Sequence, residues 1–159
     1  MVADINPDML AVGRERAKAR GIAGLAWAEE NAEKLSFADK SFDAFTIAFG
    51  IRNVTDIPAA LREAYRVLRI GGRFYCLEFS TTRWPGFATL YENYSRRIVP
   101  RIGKAVAKDE DSYRYLIESI ERFPDMPAFA RMITAAGFGN VKAEPILGGL
   151  VAIHSGWKI

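Results

Sequence analysis

Apolar and polar positions along this chain change period several times, and each change marks an element. MVADI, at the start, is a short apolar stretch interrupted by Asp4. Asn6 and Pro7 follow, a capping side chain and then a ring whose fixed φ suits the first helical position. A helix is therefore expected from Pro7 to Arg20, stopped by Gly21. LAWAEEN, residues 25–31, is a second candidate strand, weakened by its alanines and glutamates. FDAFTIAFGI, residues 42–51, is a third, apolar at odd and even positions alike, as a strand covered on both faces should be. Asp56 and Pro58 open a helix in which Ile57, Ala60, Leu61, Ala64 and Leu68 recur at helical spacing, ended by Gly71 and Gly72. GRFYCLEFS, residues 72–80, follows as a strand.

From about Pro85 to Arg122 the pattern is helical again. Phe87, Leu90, Tyr91, Tyr94 and Ile98 form one stripe, and Tyr113, Leu116, Ile117 and Ile120 another. Asp125, with Pro127 just inside, caps a last helix that ends at Gly137. Two strands close the chain, NVKAEPI and LVAIHSGWKI, with a hairpin-like spacing between them. Strands alternating with helices argue an α/β fold, a parallel sheet with helices on both faces to which the hairpin adds one antiparallel strand. In such sheets ligands bind beyond the carboxyl ends of the strands. Asp4, Asn31, Gly50 to Asn53 and Glu78 to Thr81 all fall there.

Composition narrows the chemistry. A chain of 159 residues, half of them hydrophobic, suits one domain with its own core. No run approaches the ~18 apolar residues of a spanning helix, and the acidic start is unlike a secretory signal, so a cytoplasmic protein is expected. Cys76 is the single cysteine and His154 the single histidine, and no Cys/His cluster has metal-ligand spacing. Both are read as structural. The net charge of +3 is concentrated between Arg83 and Lys108, where six basic residues face Glu92 alone. Such a patch serves as a solvated face or meets phosphates, anionic lipid or an acidic partner. Nucleic acid is not expected as a partner.

Each rim residue has an ordinary role beside its functional one. Asp4 suits the ribose hydroxyls of a nucleotide cofactor, or the turn before Pro7. A Gly-rich phosphate loop between strand and helix is absent, which leaves nicotinamide binding unsupported. Asn53 can cap a turn and Arg52 can pair with a carboxylate. A cation beside an apolar strand end nonetheless costs desolvation unless something partners it.

Taken together, ADINPDML, NAEKLSFADKSFDAFTIAFGIRNVTD, ALREAYRVLRIGGRFYCLEFS, PRIGKAVAKDEDSYRYLIESI and AAGF resemble the ubiquinone/menaquinone biosynthesis C-methyltransferases, a branch of the class I S-adenosylmethionine-dependent methyltransferases. The likeness covers essentially the whole chain. It implies a Rossmann-like class I methyltransferase sheet with a C-terminal antiparallel hairpin, read as one partial domain over residues 1–159 with a helical lid or insert at 85–122. By resemblance, Asp4 holds the cofactor's ribose hydroxyls, Asn31 and Ala32 lie along its adenine, and Ala48 and Gly50 approach it, with Ala48 where the family often has serine. Arg52 and Asn53 match the family's pair facing the quinol. Members begin well before this point, with a substrate-capping segment, a first strand and its Gly-rich loop, so the chain is expected to lack that strand, which lies between the second and the fourth.

The resemblance implies S-adenosyl-L-methionine as cofactor, no metal, and C-methylation of a polyprenyl benzoquinol or naphthoquinol. Residues 83–108, basic and interleaved with aromatics, suit peripheral contact with the inner membrane. A homo-oligomer or a quinone-biosynthesis complex is a further expectation. An inactive fragment or non-catalytic subunit of such a complex stays open as an alternative, as does a nicotinamide-dependent oxidoreductase, which would share only the acid after a strand.

Overall fold

In the computed structural model, which describes residues 1–80 and 110–159, the strands fall into two separate sheets. β1 (Val2–Asp4) and β2 (Trp27–Glu29) pair in parallel, connected by helix α1 (Pro7–Ala19). β3 (Phe42–Ala48), helix α2 (Ile57–Val67), β4 (Leu68–Phe79), helices α3 (Glu110–Arg122) and α4 (Met126–Ala135), β5 (Gly139–Ile146) and β6 (Val151–Trp157) complete the chain. The second sheet has the order β3-β4-β6-β5, with β3 parallel to β4 and β6 antiparallel to both neighbours. Thr81, the basic patch from Arg83 to Lys108 and the stripe from Phe87 to Ile98 lie outside the described residues.

Local chemistry explains the helix starts. The Asn6 side chain accepts from the backbone N–H of Asp8 and Met9, Asp56 from Ala59 and Asp125 from Ala128, each meeting donors that the first helical turn leaves open. The end of α2 differs from the expected glycine stop, because the helix finishes at Val67 and Leu68 is already extended. Groups distant in the sequence meet the carbonyls of its last turn. Lys158 Nζ donates to Tyr65 (2.8 Å) and Arg66 (3.2 Å) while lying over the Tyr65 ring, and the backbone N–H of Lys40 and Ser41 donate to Arg66 (3.1 Å) and Val67 (2.8 Å). Gly71 and Gly72 then belong to β4, their N–H and C=O paired with the backbone of Lys158. Gly71 takes φ +80, and a Cβ on Gly72 would sit 2.7 Å from the Arg69 carbonyl oxygen.

The core lies on one face of the second sheet. Phe74, Cys76 and Glu78 alternate inward along β4, and Leu61 and Ala64 of α2 and Phe129 and Ile133 of α4 close over that face, with the Phe138 ring tilted against Phe74. Among the described residues the other face is open. Ala44, Thr46 and Ala48 of β3 are exposed there beside Tyr75 of β4, so β3 does not have the two-sided cover its apolar pattern leads one to expect. Its second edge has no partner strand among the described residues. No described helix is long and apolar enough to cross a membrane.

Cys76 and His154 are cross-strand neighbours in this core, both with 1% exposure or less. Burial, reinforced by the charge of Glu78, raises the Cys76 thiol far above its ordinary value, which suits a packing residue rather than a nucleophile. His154 donates from Nε2 to the Met126 carbonyl (3.0 Å) and packs edge-on against Phe129, while its Nδ1 is buried with no hydrogen-bond partner among the described residues. Burial holds its pKa below the ordinary 6.5. The folded protein therefore keeps His154 neutral while the unfolded chain takes up a proton as pH falls through about 6.5. Stability measured by urea unfolding is expected to be flat near pH 7.5 and to decline below pH 6.5 by up to ~1.4 kcal/mol per pH unit. His154→Gln should flatten that slope between pH 5 and 6.5.

Candidate functional site

A cleft of about 610 Å³ separates the two sheets, with β1 on one side and β3 on the other. Its rim is set by the loop between β2 and β3. The Glu33 carboxylate accepts from the backbone N–H of Thr55 (2.6 Å) and Asp56 (3.2 Å), tying the carboxyl end of β2 to the start of α2. Farther along, Arg66 of α2 donates to the carbonyls of Leu35 and Phe37 and pairs with Asp39, while Glu63 accepts from Leu35 N–H. The Arg66 guanidinium in turn holds the Glu63 carboxyl below its usual value. Side chains thus join two sheets that share no ladder. Because β1 parallels β2, the carboxyl ends of β1, β2 and β3 meet at one rim.

Asp4, Asn31, Ala32, Ala48, Gly50 and Asn53 all line this cleft. One Asp4 oxygen accepts from Asn6 N–H (2.9 Å), which orients the carboxylate at the end of β1. Asn31 Oδ1 accepts from Glu33 N–H (2.9 Å), so its amide nitrogen is the group left to donate toward a ligand. A carboxylate on one strand end and an amide donor on the next are a chemically suitable pair for a ribose diol and a purine ring nitrogen. Asn53 Oδ1 accepts from the Tyr115 hydroxyl (3.1 Å), again directing the amide nitrogen outward as a donor.

Arg52 is placed differently. It follows Ile51, which is buried, and its side chain turns from the cleft toward α3. Nη1 pairs with Glu78 (2.8 Å) and donates to the Phe49 carbonyl, Nε donates to Ser119 (3.2 Å), and the guanidinium lies 5.4 Å from the Phe79 ring centre. Glu78 has a side-chain exposure of 1% and Arg52 of 10%. The carboxylate that a cation at this strand end requires is therefore Glu78, which also accepts from Phe79 N–H. The alternation along β4 carried the signal for it, since Glu78 shares the inward face with Phe74 and Cys76. Ser119 is likewise the polar member of the apolar stripe on α3, whereas nothing in the pattern singled out Tyr115.

The profile of the ubiE/COQ5 methyltransferase family matches residues 1–158. A protein of Zymomonas mobilis named as a ubiquinone/menaquinone biosynthesis C-methyltransferase is 66% identical over 158 residues, covering 99% of this chain and 65% of that protein. An Arabidopsis thaliana protein named as a mitochondrial 2-methoxy-6-polyprenyl-1,4-benzoquinol methylase is 54% identical, covering 99% of this chain and 56% of its own length. The chain thus spans about three-fifths of the curated relatives it matches. Among solved structures, an S-adenosylmethionine-dependent methyltransferase from Aquifex aeolicus superposes with a TM-score of 0.68 at 11% identity, over 99% of this chain and 67% of that one. One from Thermotoga maritima gives 0.64 at 20% identity, over 99% and 72%. At those identities the likeness is one of fold.

Proposed function

Because this chain belongs to the ubiE/COQ5 methyltransferase family, we propose that it is the larger part of a quinol C-methyltransferase that uses S-adenosylmethionine. The observation that carries this reading is the convergence of Asp4, Asn31, Ala32, Ala48 and Gly50 on one cleft rim. Asp4 would hold the ribose hydroxyls, and Asn31 with Ala32 would flank the adenine. The bound cofactor supplies an electrophilic methyl group on a sulfonium.

The acceptor approaches from the Asn53 side, where the rim meets the Arg52 cluster. Methylating a ring carbon needs an electron-rich ring, which a quinol becomes as its hydroxyl proton leaves. A guanidinium does not serve as the base. Arg52 instead stabilises the developing phenolate and orients a water that removes the proton, while Asn53 donates to a ring oxygen. Among the described residues Arg52 Nη2 has no hydrogen-bond partner, which leaves one face of the fork for this task. The polyprenyl character of the acceptor, and membrane contact through residues 83–108, belong to the same proposal.

A chimera in which residues 1–158 replace the matching region of the Zymomonas relative provides the assay. In it, Arg52→Lys should lower kcat for a short-tailed benzoquinol by 10- to 100-fold with cofactor affinity within twofold, since lysine cannot keep the contacts to Glu78, Ser119 and the ring oxygen together. Equal losses in turnover and cofactor affinity would count against it.

A further inference from the structure

Arg52 and Asn53, consecutive at the end of β3, are each bonded by a side chain of α3. Ser119 Oγ accepts from Arg52 Nε (3.2 Å), and the Tyr115 hydroxyl donates to Asn53 Oδ1 (3.1 Å). Tyr115 and Ser119 stand one helical turn apart, so they lie one above the other on a single face. One turn of α3 thus grips one turn of chain from which it is distant in the sequence.

Each bond has a direction. The Ser119 hydroxyl proton is committed to the Leu116 carbonyl (2.8 Å), which turns an oxygen lone pair toward the guanidinium. With Glu78 and the Phe49 carbonyl on Nη1 and Ser119 on Nε, the plane of the fork is fixed and Nη2 is aimed by its neighbours. Tyr115 acts on Asn53 in the same sense. An asparagine amide can turn either its oxygen or its nitrogen to a ligand, and a donor on Oδ1 selects the nitrogen. Tyr115 is exposed, so removing its hydroxyl leaves the core unaltered.

The turn is left presenting donors, which suit an oxygen that carries charge and has no proton of its own to place. We propose that Tyr115 and Ser119 are positioning residues for the acceptor: by holding Asn53 and Arg52 as donors, they make the site select the ionised form of the quinol oxygen. This rests on the quinol-methylation reading and deepens it. The other charged groups about this turn among the described residues, Glu78 of β4, Glu33 and Asp56 on its far side and Glu118 of α3 paired with Arg122, are the same in every variant below.

Double-mutant cycles in the chimera test whether the two residues act through Asn53 and Arg52. Tyr115→Phe frees the Asn53 amide to turn over and should move the acid limb of the kcat profile for a short-tailed benzoquinol to higher pH by about 0.5–1 unit. On that limb kcat falls about 3- to 10-fold, with cofactor affinity and melting temperature unchanged. Beside Asn53→Ala the same substitution should have no further effect. Ser119→Ala should lower kcat about 3- to 10-fold alone but less than about twofold beside Arg52→Lys, which has no Nε to hold. Should Ser119→Ala fail to fold, the cycle at the exposed Tyr115 still decides the matter. Additive losses in the Tyr115 cycle, or a rise in KM with the acid limb unmoved, would overturn the proposal, the latter in favour of direct contact between Tyr115 and the quinol. A parent chimera that binds cofactor and methylates no quinol would overturn the functional reading and this inference together; one that methylates while Tyr115→Phe leaves the profile in place overturns this inference alone.

Discussion

Replacing Glu78 with alanine lowers the unfolding free energy by about 3–5 kcal/mol, a large share of the ~5–15 kcal/mol that holds a domain together. The carboxylate is buried at the end of β4 and neutralises Arg52 at 2.8 Å. Without it the guanidinium keeps the Phe49 carbonyl and Ser119 but no counter-charge, in a site where water is largely excluded. The cost comes from the stranded cation more than from the lost attraction. Two further variants separate these terms. Glu78→Gln keeps a hydrogen-bond acceptor and should lose less, about 1–3 kcal/mol. Arg52→Met combined with Glu78→Leu removes both charges and should recover most of the stability lost by Glu78→Ala. Urea unfolding at pH 7 measures all three, and a double variant as unstable as Glu78→Ala would show that the cluster is held by packing rather than by charge.

Phe74→Ala produces a loss of similar size, about 3–5 kcal/mol, by a different route. Phe74 has no exposure, stacks on Phe45 of β3 at 5.9 Å and packs tilted against Phe138 at 5.1 Å, the latter touching Tyr65 of α2. Its ring therefore joins the strand at the cleft to the helices that cover the core. Truncation removes apolar surface and leaves a cavity that rigid neighbours cannot fill. Phe74→Leu should lose roughly half as much, since part of the volume is kept. In urea unfolding both variants shift the midpoint; a Phe74→Ala loss under ~1 kcal/mol would mean that the site collapses around the smaller side chain.

How far the sequence reaches depends on the distance over which each cause acts. The caps of α1, α2 and α4 were legible because Asn6, Asp56 and Asp125 bond to amides two or three residues away. The end of α2 was not, because the groups that meet its carbonyls, Lys158 and the amides of Lys40 and Ser41, lie far from it in the chain. At the site, strand-end logic located Asp4, Asn31 and Gly50, and the structure brings them to one rim. Arg52 was found by its incongruity beside an apolar strand, but its partner Glu78 required the fold, since pairing β3 with β4 is what brings residues 52 and 78 together. β3 reads as a covered strand and stands exposed, a mismatch between pattern and surroundings that defines the open edge of the cleft.

The cofactor assignment has a direct test in titration calorimetry of S-adenosylmethionine into the chimera and its Asp4→Ala variant. Asp4 is a rim residue outside the core, so the variant should melt within a few degrees of the parent. A hydrogen bond to a charged group contributes about 1.5–3 kcal/mol, which predicts a loss of affinity of about tenfold or more. Unchanged affinity in a folded Asp4→Ala variant would contradict the placement of the cofactor along the rim formed by Asp4, Asn31 and Gly50.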